Sequence, residues 1–120
     1  MGKSQREKGK RGEREFASLC RSYGYQARRG QQYAGANGDA DVVGLPGIHV
    51  EVKRVERLDL LGAMSQSKAD AKEDELPIVA HRRNNAGWLI TMAAEDWFLL
   101  YREFEAMKAL EPIGAEKENK

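Results

Sequence analysis

Residues 37–54 read NGDADVVGLPGIHVEVKR, and this stretch decides the fold. β-Branched residues lie on both sides of a Leu-Pro-Gly sequence, a pattern that predicts two short strands over 40–44 and 48–55 joined by a tight turn at 45–47.

Three ionisable side chains interrupt these strands, and the hairpin register decides how they meet. Glu51 and Lys53 share one face because side chains alternate along a strand. A turn centred on Pro46 puts Asp41 opposite Glu51, with Cβ atoms roughly 4.5–5.5 Å apart. A two-residue loop would put Asp41 on the other face, but Pro-Gly there gives a type II turn, which splays hairpin strands. The sequence therefore predicts an odd-numbered loop and two facing carboxylates able to share a divalent cation; the alternative is a solvated strip of charges.

Length and charge suit one small domain with a polyanionic partner. The chain has 120 residues, with 20 Lys and Arg against 19 Asp and Glu. Residues 1–30 hold nine basic and three acidic groups, an excess that indicates nucleic acid on one side of the protein, or else a solvated tail. The lone Cys20 fits a reducing compartment, and no apolar run suits a membrane span or a signal peptide, so we expect a cytoplasmic protein with no membrane partner.

Hydrophobic periodicity gives the order α-β-β-β-α-β-β-α, an α/β domain with a mixed sheet. Residues 1–10 have the composition of a flexible basic arm, 11–110 form the single domain, and 111–120 form a polar tail. Helices are predicted from about Gly12 to Gly24 and over 58–72 and 94–110, and further strands over 25–29, 76–82 and 87–92.

Two helical features stay open. Glu13 falls within the apolar arc of the first helix, so its carboxylate either has a partner or task, or it stays in solvent and complements the helix dipole. The last helix carries one apolar stripe, interpreted as core or subunit interface: Trp97, Leu100, Tyr101, Phe104 and Met107.

Four segments in order resemble the PD-(D/E)XK nuclease superfamily, and more narrowly the archaeal-type Holliday junction resolvases, which also occur in phages. They are RGEREF at 11–16, YGYQARR at 23–29, DADVVG at 39–44 and HVEVK at 49–53. Ala40 departs from the proline often found before the aspartate. The resemblance covers residues 11–92 and implies a restriction-endonuclease-like mixed sheet flanked by helices.

The resemblance also implies a function: a Mg²⁺-dependent endodeoxyribonuclease, with Mn²⁺ able to substitute, that resolves four-way (Holliday) junctions in DNA recombination and repair. It would act as a homodimer on branched double-stranded DNA. The implied catalytic residues are Glu13, Asp41, Glu51 and Lys53, and the implied metal ligands are Asp41, Glu51, the carbonyl of Val52 and Glu13. The implied DNA-binding residues are Lys10, Arg11, Arg14, Arg28, Arg29 and Arg54. Two alternatives are another nuclease of the superfamily (nicking, restriction-like or repair) and a DNA-binding module without catalysis.

Overall fold

A computed structural model of the chain describes residues 3–31 and 40–110. One five-stranded sheet has the strand order β1-β2-β3-β4-β5. The β3–β4 pair is parallel and the other three pairs are antiparallel, so the predicted mixed sheet and element order are confirmed. In chain order the elements are α1 (Lys3–Ser22), β1 (Arg28–Arg29), β2 (Val42–Val43), β3 (Ile48–Arg54), α2 (Leu60–Asp70), β4 (Leu76–Arg82), β5 (Leu89–Met92) and α3 (Ala94–Leu110).

The β2–β3 hairpin has the predicted register. Val42 pairs with Val50, so paired positions are equidistant from Pro46. The ladder does not continue to an Asp41–Glu51 pair, because the Asp41 N–H donates to the Val50 carbonyl oxygen at 3.0 Å. The predicted register around Pro46 is therefore confirmed at Val42 and Val50, and Asp41 lies close enough to Glu51 to raise the pKa of that carboxyl.

The turn of this hairpin is closed by one backbone hydrogen bond. The Ile48 N–H donates to the Leu45 carbonyl oxygen at 3.0 Å, and Gly47 has a φ of +87°. Proline at the second position and a positive-φ glycine at the third are the features of a type II turn. The sequence prediction of an odd-numbered loop rests on the premise that this turn type splays hairpin strands. That premise is wrong here, although the register at Val42 and Val50 is as predicted.

The two faces of the sheet pack against different helices. α1 covers the face that carries Val50 and Val52, and its buried side chains join the cluster Phe16, Ala17, Cys20, Ala27, Val42, Val50, Val52, Ile78 and Ala80. α2 lies on the other face, where Ala63 and Met64 pack with Val79 of β4. Because side chains alternate along β3, Glu51 points to the face that α2 covers.

α1 begins earlier than the sequence predicted. Residues 3–10 belong to α1, whereas the sequence predicted that the helix begins near Gly12. Glu7 precedes Arg11 by four residues, a spacing that stabilises a helix by roughly 0.2–0.5 kcal/mol per pair. The predicted polar tail over 111–120 lies outside the described residues.

α3 matches its predicted bounds but not a place in the core. It has no buried residue, and the five stripe side chains are 40–47% exposed. The stripe is therefore not consumed by the described core of this chain. None of the helices in residues 3–31 and 40–110 combines the length and apolar character that a membrane-spanning helix needs.

Gly44 tests how tightly the hairpin packs on β1. It has a φ of +111°, and a Cβ there would collide with the Gln26 carbonyl oxygen and lie 2.7 Å from Ala27 Cα. We expect Gly44→Ala to lower the free energy of unfolding by more than the roughly 1–2 kcal/mol that a left-handed backbone costs an L-residue. Urea unfolding followed by circular dichroism measures this.

Gly47→Ala is the matched control, because Gly47 also has a positive φ but has no atom within 4 Å of the added Cβ. It should show the conformational cost alone. Equal losses in the two variants would mean that the close approach of Gly44 to β1 contributes nothing.

Candidate active site

The face of β3 that α2 covers carries three polar side chains in alternation: His49, Glu51 and Lys53. The Lys53 Nζ lies 3.7 Å from Glu51 Oε2. Asp41 lies close to them, since its charge raises the pKa of Glu51 and the charge of Lys53 lowers the pKa of Asp41. The structure thus brings together three of the four residues predicted to be catalytic.

Asp41 is held by the backbone of the opposite strand. The Val52 N–H donates to Asp41 Oδ2 at 2.8 Å. Burial raises the pKa of Asp41 to about 6, and the negative charge of Glu13 adds to the rise. The Val52 hydrogen bond and the cations Lys53 and Arg29 oppose it.

Glu51 is buried, with 6% of its surface exposed. Burial raises its pKa to about 7, and the Asp41 and Asp70 carboxylates add to that rise while Lys53 opposes it. Two desolvated carboxyls that face each other bind protons tightly when no cation is present. Hard oxygen donors in this arrangement fit a divalent cation, which would relieve the same repulsion.

Glu13 has a partner, which answers the question that the sequence left open. Its Oε1 accepts from Arg29 Nε at 2.8 Å, and 16% of its side chain is exposed. Its charge reaches Asp41, as the pKa of that carboxyl records. Among the described residues, one group of three His, Cys, Asp or Glu side chains has ligand atoms that all lie within 4.8 Å of one another: His49, Glu51 and Asp70. Glu13 is not part of this group.

A cleft of about 600 Å³ opens beside these carboxylates, between the hairpin and the C-terminal end of α2. Its lining contains four side chains that are not among the predicted site residues: His49, Gln66, Asp70 and Glu75. Strand alternation could have found His49, since it stands two residues before Glu51. Nothing in the local pattern marks Asp70, because its place depends on how α2 crosses the sheet.

The predicted DNA-binding cations fall into two groups. Lys10, Arg11, Arg14 and Arg28 are exposed. Arg6, Lys10 and Arg14 follow one another at four-residue spacing and so lie along one side of α1.

Two further arginines have partners within the protein. Arg29 pairs with Glu13 as described, and Arg54 Nε lies 3.3 Å from Glu15 Oε2. Arg54 Nη1 also donates to Asn84 Oδ1 at 2.9 Å. Glu15 pairs with Arg82 of β4 as well, so this carboxylate ties α1 to two strands. The sequence predictions missed this cluster, whose members lie far apart in the chain.

The raised pKa values predict how stability depends on pH in the absence of metal. Both carboxyls bind protons more tightly in the folded state than in the unfolded state, so folding loses stability as pH rises from about 4 to about 7. In EDTA, the Asp41→Asn/Glu51→Gln double variant should gain stability relative to wild type between pH 5 and pH 8, on the order of 2 kcal/mol. Urea unfolding at each pH gives the difference. A difference that stays flat or reverses sign would contradict the buried repulsion.

No protein-family model matches this sequence. No curated protein matches it either. Among solved structures, the chain is similar to Hjc of Archaeoglobus fulgidus, a Holliday junction resolvase from an archaeal hyperthermophile, with a TM-score of 0.53 and 22% sequence identity. The match covers 68% of this chain and 74% of that chain. At this identity the likeness establishes the fold: the chain has the restriction-endonuclease-like mixed sheet flanked by helices that its sequence predicts.

Proposed function

We propose that this protein is a metal-dependent, structure-selective DNA endonuclease that resolves four-way junctions by phosphodiester hydrolysis, with residues 11–110 as a single nuclease domain. One observation carries the proposal: two desolvated carboxylates, Asp41 and Glu51, line one open cleft, and Lys53 Nζ lies 3.7 Å from Glu51 Oε2. A fold shared with a Holliday junction resolvase supports the choice of substrate.

Asp41, Glu51 and the carbonyl of Val52 would hold a Mg²⁺ ion, for which Mn²⁺ can substitute. The N–H and C=O of one strand residue point to the same side of the strand, and the Val52 N–H points to Asp41. The Val52 carbonyl therefore faces the same edge as the Asp41 carboxylate. A cation bound there would polarise the scissile phosphate and lower the pKa of a bound water.

Lys53 is the residue for the reacting phosphate. Its ammonium is partly exposed and lies beside Glu51, so it can hold the attacking water or neutralise charge that develops on the phosphate. Glu13 would act as a positioning residue through its charge on Asp41, with Arg29 fixing its orientation.

DNA binding would rest on the cations that have no described partner inside the protein. Lys10, Arg11, Arg14 and Arg28 are exposed and suited to phosphate contacts, which set register without reading bases. Arg29 and Arg54 retain donors beyond those used by their carboxylate partners, since a guanidinium carries five N–H groups. They would contribute less than the exposed four.

A homodimer would supply the two cuts that junction resolution needs, through one two-fold interface. The surface for it is the exposed apolar stripe of α3 together with Leu89 and Ile90 of β5, which are 63% and 57% exposed. β5 is an edge strand of the described sheet. Trp97 and Tyr101 stack with ring centroids 5.2 Å apart, so part of this surface is already ordered for contact.

Two alternatives make different predictions in the same assay. Another nuclease of this fold would cut flaps, nicks or linear duplex as well as junctions. A DNA-binding module without catalysis would bind junctions in any buffer and cut none, but it leaves the facing carboxylates without a task.

Cleavage of a synthetic four-way junction tests the proposal. We expect cutting in Mg²⁺, none in EDTA, and slower cutting of flaps and linear duplex. Lys53→Ala should lower kcat by about 100-fold or more, because it removes charge at the reacting phosphate. Junction affinity, measured by gel shift in Ca²⁺, should stay near wild type, since Lys53 is one cation among many.

Lys68→Ala is the control, because Lys68 is exposed on α2 and does not line the cleft. It should cut like wild type. Cleavage of linear duplex at the same rate as the junction would mean that the protein is another nuclease of this fold. Junction binding without cleavage in every divalent cation would mean that it is a DNA-binding module without catalysis.

Charge placed on the α3 stripe tests the dimer. Wild type should sediment at twice the chain mass of 13.5 kDa at micromolar concentration, and Phe104→Glu should sediment as a monomer. The reason is that a charge cannot be buried there without a partner.

Leu61→Glu is the matched control, because Leu61 is 82% exposed on α2, away from the stripe. It should leave the dimer intact. A wild-type chain that stays monomeric when junction is added would refute the two-subunit mechanism.

A further inference from the structure

Three potential ligand atoms lie close together at one end of the cleft. They form a set that differs from the Asp41–Glu51 pair. A ring nitrogen of His49 and carboxylate oxygens of Glu51 and Asp70 lie within 4.8 Å of one another. His49 and Glu51 alternate along β3, and Asp70 is the last residue of α2, which lies over the same face. Secondary structure, rather than a loop, therefore fixes all three positions.

His49 is the residue that turns this cluster into a site. It is only 5% exposed, and its Nε2 has no hydrogen-bond partner among residues 3–31 and 40–110. Its Nδ1 lies 3.7 Å from Glu75 Oε1. A buried ring nitrogen without a partner is costly. A carboxylate beside the imidazole, as Glu75 is here, is a group that metal-binding histidines use to fix ring orientation.

We infer that His49, Glu51 and Asp70 form a second cation site, one that takes a first-row transition metal such as Mn²⁺ in preference to Mg²⁺. One imidazole with two carboxylates is a mixed nitrogen and oxygen set. Mg²⁺ keeps to oxygen ligands and retains its waters, whereas imidazole suits the transition metals. The Asp41, Glu51 and Val52 set contains oxygen alone and serves either ion.

Glu51 belongs to both sets, so the two cations share one carboxylate. The chain should then hold two Mn²⁺ ions but one Mg²⁺ ion. Any part that the second ion plays in cleavage rests on the proposed nuclease function, whereas its binding does not. Paired divalent cations are a recurring way to stabilise both the attacking and the leaving oxygen of a phosphate displacement.

Pulsed electron paramagnetic resonance of the Mn²⁺-loaded full chain tests the site directly. A directly bound imidazole gives a nitrogen modulation, and ¹⁵N-labelled histidine changes its pattern. We expect that modulation in wild type and its loss in His49→Gln. Loss of an outer-shell partner typically lowers metal affinity about 10–100-fold. Removal of a direct ligand should lower the Mn²⁺ affinity of this site by at least as much.

His81→Gln is the matched control, because His81 is the other of the two histidines and its Nε2 lies 2.9 Å from Thr91 Oγ1 on β5. It should keep the modulation. Asp70→Asn, an exposed change that need not disturb folding, should lower the Mn²⁺ bound per chain from two to one. Of the two Mn²⁺ ions, the one that shows no nitrogen coupling should be the first that excess Mg²⁺ displaces.

Three results would overturn the inference: Mn²⁺ bound with no histidine modulation, a modulation that survives His49→Gln, or no bound Mn²⁺. Failure of the nuclease proposal looks different. A wild-type chain that shows the histidine modulation yet cuts no DNA would refute the nuclease and leave the site standing.

Discussion

The pairing of Val42 with Val50 is the constraint on which the rest of the structure depends. It puts Val50 in the α1 core and Glu51 on the opposite face, and it brings Asp41 close enough to Glu51 to raise the pKa of that carboxyl. Because side chains alternate with a period of two, a slip of one residue would send Asp41 towards the α1 core. Packing and chemistry are therefore specified by the same hydrogen bonds.

The charged side chains that the proposed chemistry needs also destabilise this hairpin. Opposed carboxylates destabilise a strand pair, and burial increases that cost. The protein tolerates it because hydrophobic side chains hold the hairpin from the other face, where Val42 and Val50 are almost wholly buried. The parallel pairing of β3 with β4 along seven residue pairs adds to that support.

The sequence was sufficient to predict the features that depend on local pattern. Turn chemistry predicted the hairpin register, and periodicity predicted the bounds of β4 and α3. It could not specify what distant parts of the chain decide. Glu15 meets Arg82 across 67 positions, and Asp70 reaches Glu51 only because of the way α2 packs. The exposure of α3 escaped prediction for a similar reason, since an apolar stripe looks the same whether it covers its own core or another subunit.

The hydrogen bond from Val52 to Asp41 Oδ2 has a consequence for cation size. With that oxygen engaged by the backbone, Asp41 would bind an ion through its other oxygen, in monodentate fashion. Small ions with six ligands in octahedral geometry accept single oxygens of this kind, whereas Ca²⁺ commonly fills its larger coordination shell with bidentate carboxylates. One backbone amide thus favours a low coordination number at this carboxylate, and with it a compact cation.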